Sequence, residues 1–174
     1  CSYNPEPVAD FVDAAVLGDG EEVVGEITEV LATWKAAGGG PRAELHRRLA
    51  TVTGVYVPSL YEATFADGRL RSVRPAPGET EAVEVVEKRT VADLADWPYP
   101  KQQLVPVTEV VHDRLNVEVF RGCTRGCRFC QAGMITRPVR ERPANQVRTM
   151  VSEGLKRTGY DEVALTSLST ADFS

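Results

Sequence analysis

Apolar positions along the chain fall into blocks whose period changes. Ala14, Ala15, Val16 and Leu17 form a short continuous run broken by Gly18-Asp19-Gly20, the pattern of a buried strand. Val23, Val24, Ile27, Val30, Leu31 and Trp34 then recur at helical spacing, and Gly38-Gly39-Gly40 followed by Pro41 ends that helix. Glu21 and Glu22 stand where negative charge favours a helix N-terminus. A strand, a glycine turn and a helix make half of a βαβ unit, which cannot cover its own sheet edges. The rest of such a domain is expected before Cys1, itself read as a small loop residue. A shorter helix follows over Ala43 to Val52, with Leu45, Leu49 and Val52 on one face.

The period then shortens to that of strands. Val55 to Val57 and Tyr61 to Phe65 are rich in β-branched and aromatic residues, Asp67-Gly68 is a hairpin turn signal, and Leu70 to Val73 is the return strand. Val83 to Val86 reads as a further strand. Trp97-Pro98-Tyr99-Pro100 excludes regular helix and central strand. Leu115 to Phe120 alternates as a strand and runs directly into a cysteine-rich stretch. Val147, Met150, Val151 and Leu155 form a helical stripe stopped by Gly159, and Glu162 to Thr166 is another strand. Strand, loop, helix, strand implies a βαβ unit and a parallel pair. The expected organisation is α/β: residues 1–40 the end of a Rossmann-like unit, 41–110 a connector with a small hairpin, and 111–174 the start of a second α/β domain.

Composition narrows the class. Of 174 residues, 43% are hydrophobic and 26% charged, and the net charge is −5. These are globular proportions, and the acidic balance argues against a dedicated nucleic-acid-binding domain. No apolar run is long enough to span a bilayer, and the first residues carry no basic or apolar leader. The lack of an initiator Met reads as an internal or trimmed piece. Three of the four cysteines lie between Cys123 and Cys130, a clustering that suits metal ligands in a reducing compartment better than a disulfide framework. The expected location is cytoplasmic.

The stretch reads RGCTRGCRFCQAG. Cys123, Cys127 and Cys130 are spaced C-x3-C-x2-C on a loop after a strand. Three thiolates can hold three irons of a cubane and leave the fourth open, as a catalytic site requires, whereas electron-carrying 4Fe–4S clusters take four cysteines. Gly122 and Gly126 suit a loop wrapped closely around a bulky cluster. Arg121, Arg125 and Arg128 add positive charge that favours thiolates. The alternatives are a Cys3His zinc site completed by His112, and inert core cysteines.

This motif, with Phe129 just before the last cysteine, resembles the signature of the radical S-adenosylmethionine (SAM) superfamily. The resemblance implies a partial (β/α)6 barrel, with the three cysteines on the cluster and SAM on the open iron. It also implies reductive cleavage of SAM to methionine and a 5′-deoxyadenosyl radical that acts on a substrate the sequence does not name. A reductase, flavodoxin or ferredoxin electron donor follows. VHDRLNVEVFRGCTRGCRFCQAGMITRPVRER, GYDEVALTSLS and NPEPVADFVDAAVLGDGEE together resemble a B12-binding-domain subgroup of unassigned reaction. In that subgroup a cobalamin-domain-like unit precedes the barrel. Cobalamin would be a further cofactor in such a subgroup, but this segment does not support it: the D-x-H-x-x-G ligand motif of such domains does not occur in this chain. Where the superfamily has a G-G-E-type element beside the SAM amino group, this chain reads Thr166-Ser167-Leu168-Ser169-Thr170. Ser167 and Ser169 are the expected SAM contacts there, and Phe129 is expected to pack on the cluster or the adenine, or in the core. The chain supplies only the first strands of such a barrel, so turnover is expected of the parent protein and not of this piece.

Arg137, Arg140 and Arg142 form a basic run. It is read chiefly as a solvated or ion-paired face with Glu141, and secondarily as a phosphate-binding surface of a methylthiotransferase-like RNA-modifying enzyme. His112-Asp113 is a candidate proton-transfer pair or a structural histidine, and His46 is assigned no role. A non-enzymatic iron–sulfur or zinc module is the reading from another class.

Overall fold

The computed structural model describes residues 4–108 and 110–174, so Cys1 lies outside the described residues. Contacts divide the chain into two units, Cys1–Val91 and Ala92–Ser174. The boundaries expected at residues 40 and 110 fall inside these units.

The first unit opens with a 3-10 turn at Glu6–Phe11, then β1 (Ala15–Val16), α1 (Val23–Ala36), α2 (Arg42–Ala50), β2 (Val55–Tyr56) and a hairpin of β3 (Tyr61–Ala66) and β4 (Arg69–Pro75). The helical stripe and the hairpin turn are where the sequence pattern puts them. The sheet is different: β1 pairs antiparallel with β2, Ala15 opposite Tyr56, where a Rossmann-like unit predicts parallel neighbours. The helices α1 and α2 therefore act as a helical pair covering a short antiparallel ribbon. Val23, Leu49, Val52, Val55, Val57 and Leu60 form its buried core.

Two further expectations are corrected here. No strand forms over Val83 to Val86; Val83 and Val85 are exposed, and the stretch is held by the Tyr61 hydroxyl donating to the Val83 carbonyl at 2.9 Å. The backbone partner of the first glycine turn is instead Arg89, whose N–H donates to Leu17 O at 2.8 Å and whose carbonyl accepts from Asp19 N–H at 3.0 Å. Glu22 stands at the N-cap of α1 without a side-chain cap. Its carboxylate goes to the Arg89 guanidinium at 3.0 Å, beside Glu26. A charge partner on a neighbouring segment has outcompeted the helix N–H groups. The Asp19 carboxylate completes the seam by accepting the Val91 N–H at 2.8 Å. His46 is engaged as well, its Nδ1 at 2.8 Å from Ser59 Oγ and its Nε2 at 2.9 Å from Asp13 Oδ1.

The second unit contains β5 (Leu115–Glu118), β6 (Phe120–Arg121), α3 (Ala132–Ile135), β7 (Arg140–Glu141), α4 (Ala144–Thr158) and β8 (Val163–Thr166). As the pattern predicts, β5 and β8 are parallel, with Leu115 opposite Val163 and Glu118 opposite Thr166. The crossover helix α4 ends at Gly159, whose left-handed φ of 76° caps it, with its N–H on Leu155 O at 3.0 Å. Leu115, Val117, Val119, Phe120, Val147 and Met150 make the core between strands and helix. Burying each larger side chain contributes about 1.5–3 kcal/mol. No closed barrel forms among the described residues.

Gly18 sits at a φ of 108°, and a Cβ there would lie 2.0 Å from the Arg89 carbonyl oxygen. Gly18→Ala should therefore destabilise the first unit by at least about 2 kcal/mol through backbone strain and loss of the Arg89 seam. Gly20→Ala, with open space around it, should stay within about 1 kcal/mol of wild type. Urea unfolding of the two variants checks this.

Candidate metal centre

The cysteine loop is an excursion closed at its base. Phe120 pairs with Glu141 and Arg121 with Arg140 across β6 and β7, and the Arg142 N–H donates to Val119 O at 2.8 Å. The loop leaves this base at Gly122, whose φ is 89°; a Cβ there would meet the Pro138 carbonyl oxygen at 2.6 Å. Glycine is required because the outgoing and returning strands touch. The Cys130 N–H donates to Cys127 O at 3.0 Å, so the C-x2-C half of the motif is a tight turn leading into α3.

All three cysteines are free thiols, Cys127 exposed and Cys123 and Cys130 half-buried. Cys123 Sγ accepts the backbone N–H of Arg125 at 3.5 Å, and Arg137 Nε donates to the Cys123 carbonyl at 3.3 Å. Three unoxidised thiols on one short loop are the donor set an iron–sulfur cluster takes, and in that chemical sense the residues fit. They are not gathered in advance: among the described residues no group of three His, Cys, Asp or Glu side chains converges on one point. His112, the fourth ligand of the zinc alternative, is exposed at the N-terminal end of β5, the end opposite the cysteine loop. There it accepts a hydrogen bond from Arg114 at 3.2 Å.

Of the arginines expected to add positive charge near the thiolates, Arg121 and Arg125 are paired with carboxylates. Arg121 pairs with Glu118 at 2.8 Å. Arg125 forms a bidentate pair with Asp172, its Nε on Oδ2 at 2.7 Å and its Nη2 on Oδ1. The run of Arg137, Arg140 and Arg142 is not a solvated face either. Arg140 and Arg142 are buried. Arg140 donates to the Pro138 and Thr136 carbonyls at 3.1 and 3.2 Å, and Arg142 donates to the Leu94 carbonyl with Glu118 4.0 Å away. These guanidiniums donate to backbone carbonyls, two of them in the stretch between α3 and β7.

Phe129 is 93% exposed, so it belongs to no core. Ser167 Oγ lies 2.9 Å from Thr170 Oγ1, and Ser169 Oγ donates to Asp172 Oδ2 at 2.7 Å. The parallel register places this serine segment and the cysteine loop at the same, carboxyl, end of the β5–β8 pair, where open parallel sheets bind ligands. Asp172 is the site residue that sequence reading missed. It lies beyond the last predicted strand in a 3-10 turn, Thr170–Asp172, and no periodic signal marks it.

A family described as radical SAM proteins, N-terminal, matches residues 1–58. The uncharacterized protein MJ0966 of Methanocaldococcus jannaschii is 39% identical over 57 residues, which is 33% of this chain and 13% of that protein. The chain thus spans a small part of the relative it matches. No solved structure matches. The described elements are mixed α and β, and the family match is a likeness over a third of this chain. It lies within the first unit and does not reach the cysteines, and its description names no B12-binding subgroup. Among the described residues no helix is long and apolar enough to cross a membrane.

The guanidinium of Arg125, then the hydroxyl of Ser169, hold the Asp172 carboxyl below its ordinary value of 3.8. A carboxyl lowered by folding contributes above its ordinary pKa and loses that contribution as pH falls through the lowered one. The Arg125–Asp172 pair should accordingly persist at pH 5 and open below about pH 3.8. The carboxyl carbon shift of Asp172, followed by NMR, should titrate below the ordinary aspartate value of 3.8.

Proposed function

We propose that this chain is the cluster-binding part of a radical SAM enzyme, with Cys123, Cys127 and Cys130 as the three protein ligands of a 4Fe–4S cluster. The observation that carries the reading is the C-x3-C-x2-C set of free thiols at the carboxyl end of a parallel strand pair, in a chain whose first unit matches a radical SAM family. Bound there, a reduced 4Fe–4S cluster supplies the electron that cleaves SAM.

This chain's own residues prepare the site in three ways. Gly122 lets the loop leave β6 against Pro138. The tight turn at Cys127–Cys130 fixes the backbone between two of the ligands. Ser167 and Ser169, at the end of β8, present hydroxyls on the side of the sheet where the cysteines lie, in reach of the polar groups of a SAM molecule held there. Phe129, exposed beside Cys130, is assigned the face of the cluster or the adenine. The electron donor is a reductase, flavodoxin or ferredoxin. The N-terminal region is assigned to the B12-binding-domain subgroup on its Gly18-Asp19-Gly20-Glu21 loop.

Anaerobic reconstitution followed by EPR of the reduced protein tests the reading. The expected result is a 4Fe–4S signal that changes on adding SAM and is lost in Cys127→Ala. A cluster indifferent to SAM, or uptake of zinc in its place, would leave a metal-binding module and remove the enzyme.

A further inference from the structure

Residues 170–174 are fastened to the cysteine loop and its base by three separate contacts. The Phe173 ring stacks on Phe120 with centroids 6.4 Å apart and planes 5° from parallel. The Ser174 hydroxyl donates to Glu141 Oε2 at 2.6 Å. Asp172 takes two donors of the Arg125 guanidinium, Nε and Nη2, while accepting from Ser169. Arg125 lies between Cys123 and Cys127, and its own N–H points to Cys123 Sγ at 3.5 Å. One residue therefore joins a cysteine sulfur to the segment that follows β8.

We propose that the Arg125–Asp172 pair is a positioning device for the cluster, fixing the Cys123–Cys127 half of the loop against the serine segment and setting the net charge beside the thiolates. The inference rests on the reading of the cysteines as cluster ligands and adds two residues to it. Bidentate guanidinium–carboxylate pairing fixes orientation as well as distance. It is suited to holding the longer, three-residue gap, where no backbone turn like that of Cys127–Cys130 is present to do so. Charge supplies the second part. A cluster held by three thiolates is anionic, and nearby charge tunes its potential. Asp172 offsets the positive charge of Arg125.

The test uses the full chain, reconstituted anaerobically, as wild type, Asp172→Asn, Arg125→Gln and the exchanged pair Arg125→Asp/Asp172→Arg. Loss of iron to a chelator and the midpoint potential without SAM are the readouts. Asp172→Asn should release iron roughly tenfold faster, as removal of outer partners of metal ligands does, and its potential should move positive as Arg125 loses its counter-charge. Arg125→Gln should also shed iron faster, with a negative shift. The exchanged pair should regain the wild-type lifetime while its potential stays negative, because the carboxylate now stands on the cysteine loop. A wild-type cluster whose release and potential are unchanged in Asp172→Asn overturns this inference alone. Faster release that the exchanged pair does not reverse also overturns it. A wild-type chain that takes up no cluster overturns the proposed function along with it.

Discussion

The parallel alignment of β5 with β8 is the constraint on which the chemistry of the second unit depends. A parallel pair needs a crossover, and α4 supplies it. That crossover forces the loops leaving both strands to emerge at one end. Without it the cysteines and the Ser167–Asp172 segment, some forty residues apart in sequence, would have no reason to meet. The apolar stripe of α4 against Leu115 and Val117 is thus the energetic source of the arrangement, although none of its residues carries chemistry. The arrangement is a common solution in open α/β sheets, and here it is reached with two strands.

What the sequence made legible follows the strength of local signals. The stripes of α1 and α4, the Asp67-Gly68 hairpin and the left-handed stop at Gly159 are all short-range patterns and all are present in the fold. The cysteine spacing was equally plain, because ligand sets are written in residue identity and not in period. The misreadings are tertiary. Strand direction is not encoded in an apolar run, so the β1–β2 ribbon could not be told from a parallel unit. Val83 to Val86 has the composition of a strand but finds no ladder to join. Arg140 and Arg142 look like surface charge in a one-dimensional reading, and only the fold shows which carbonyls, those of Pro138, Thr136 and Leu94, their guanidiniums turn inward to. Asp172 could be reached only by knowing which loops share an end of the sheet.

The two halves of the cysteine motif are stabilised by different means. Cys127 and Cys130 are related by a backbone turn that needs only local geometry. Cys123 is set by Gly122, by the Arg137 contact to its carbonyl and by Arg125 reaching across to Asp172. The first half is therefore autonomous and the second depends on the surrounding fold. That division agrees with a donor set that is chemically complete while its sulfurs still stand apart.

The seam at Gly18 has a consequence for how the first unit comes into being on a ribosome. The Leu17 carbonyl and the Asp19 N–H find their partners on Arg89, far along the chain. Closing a loop of that length costs only slightly more than closing a shorter one, but it imposes an order in time. Until the segment around Arg89 has left the exit tunnel, the Leu17 carbonyl and the Asp19 N–H have no mate, and Glu22 and Glu26 face each other without the guanidinium that separates them. The nascent unit up to the hairpin must then wait, already partly compact, with one open edge. At a synthesis rate of roughly 5–20 residues per second, that interval lasts seconds. The carboxylates flanking the open edge give the waiting intermediate a like-charged border, which keeps neighbouring nascent chains from pairing with it.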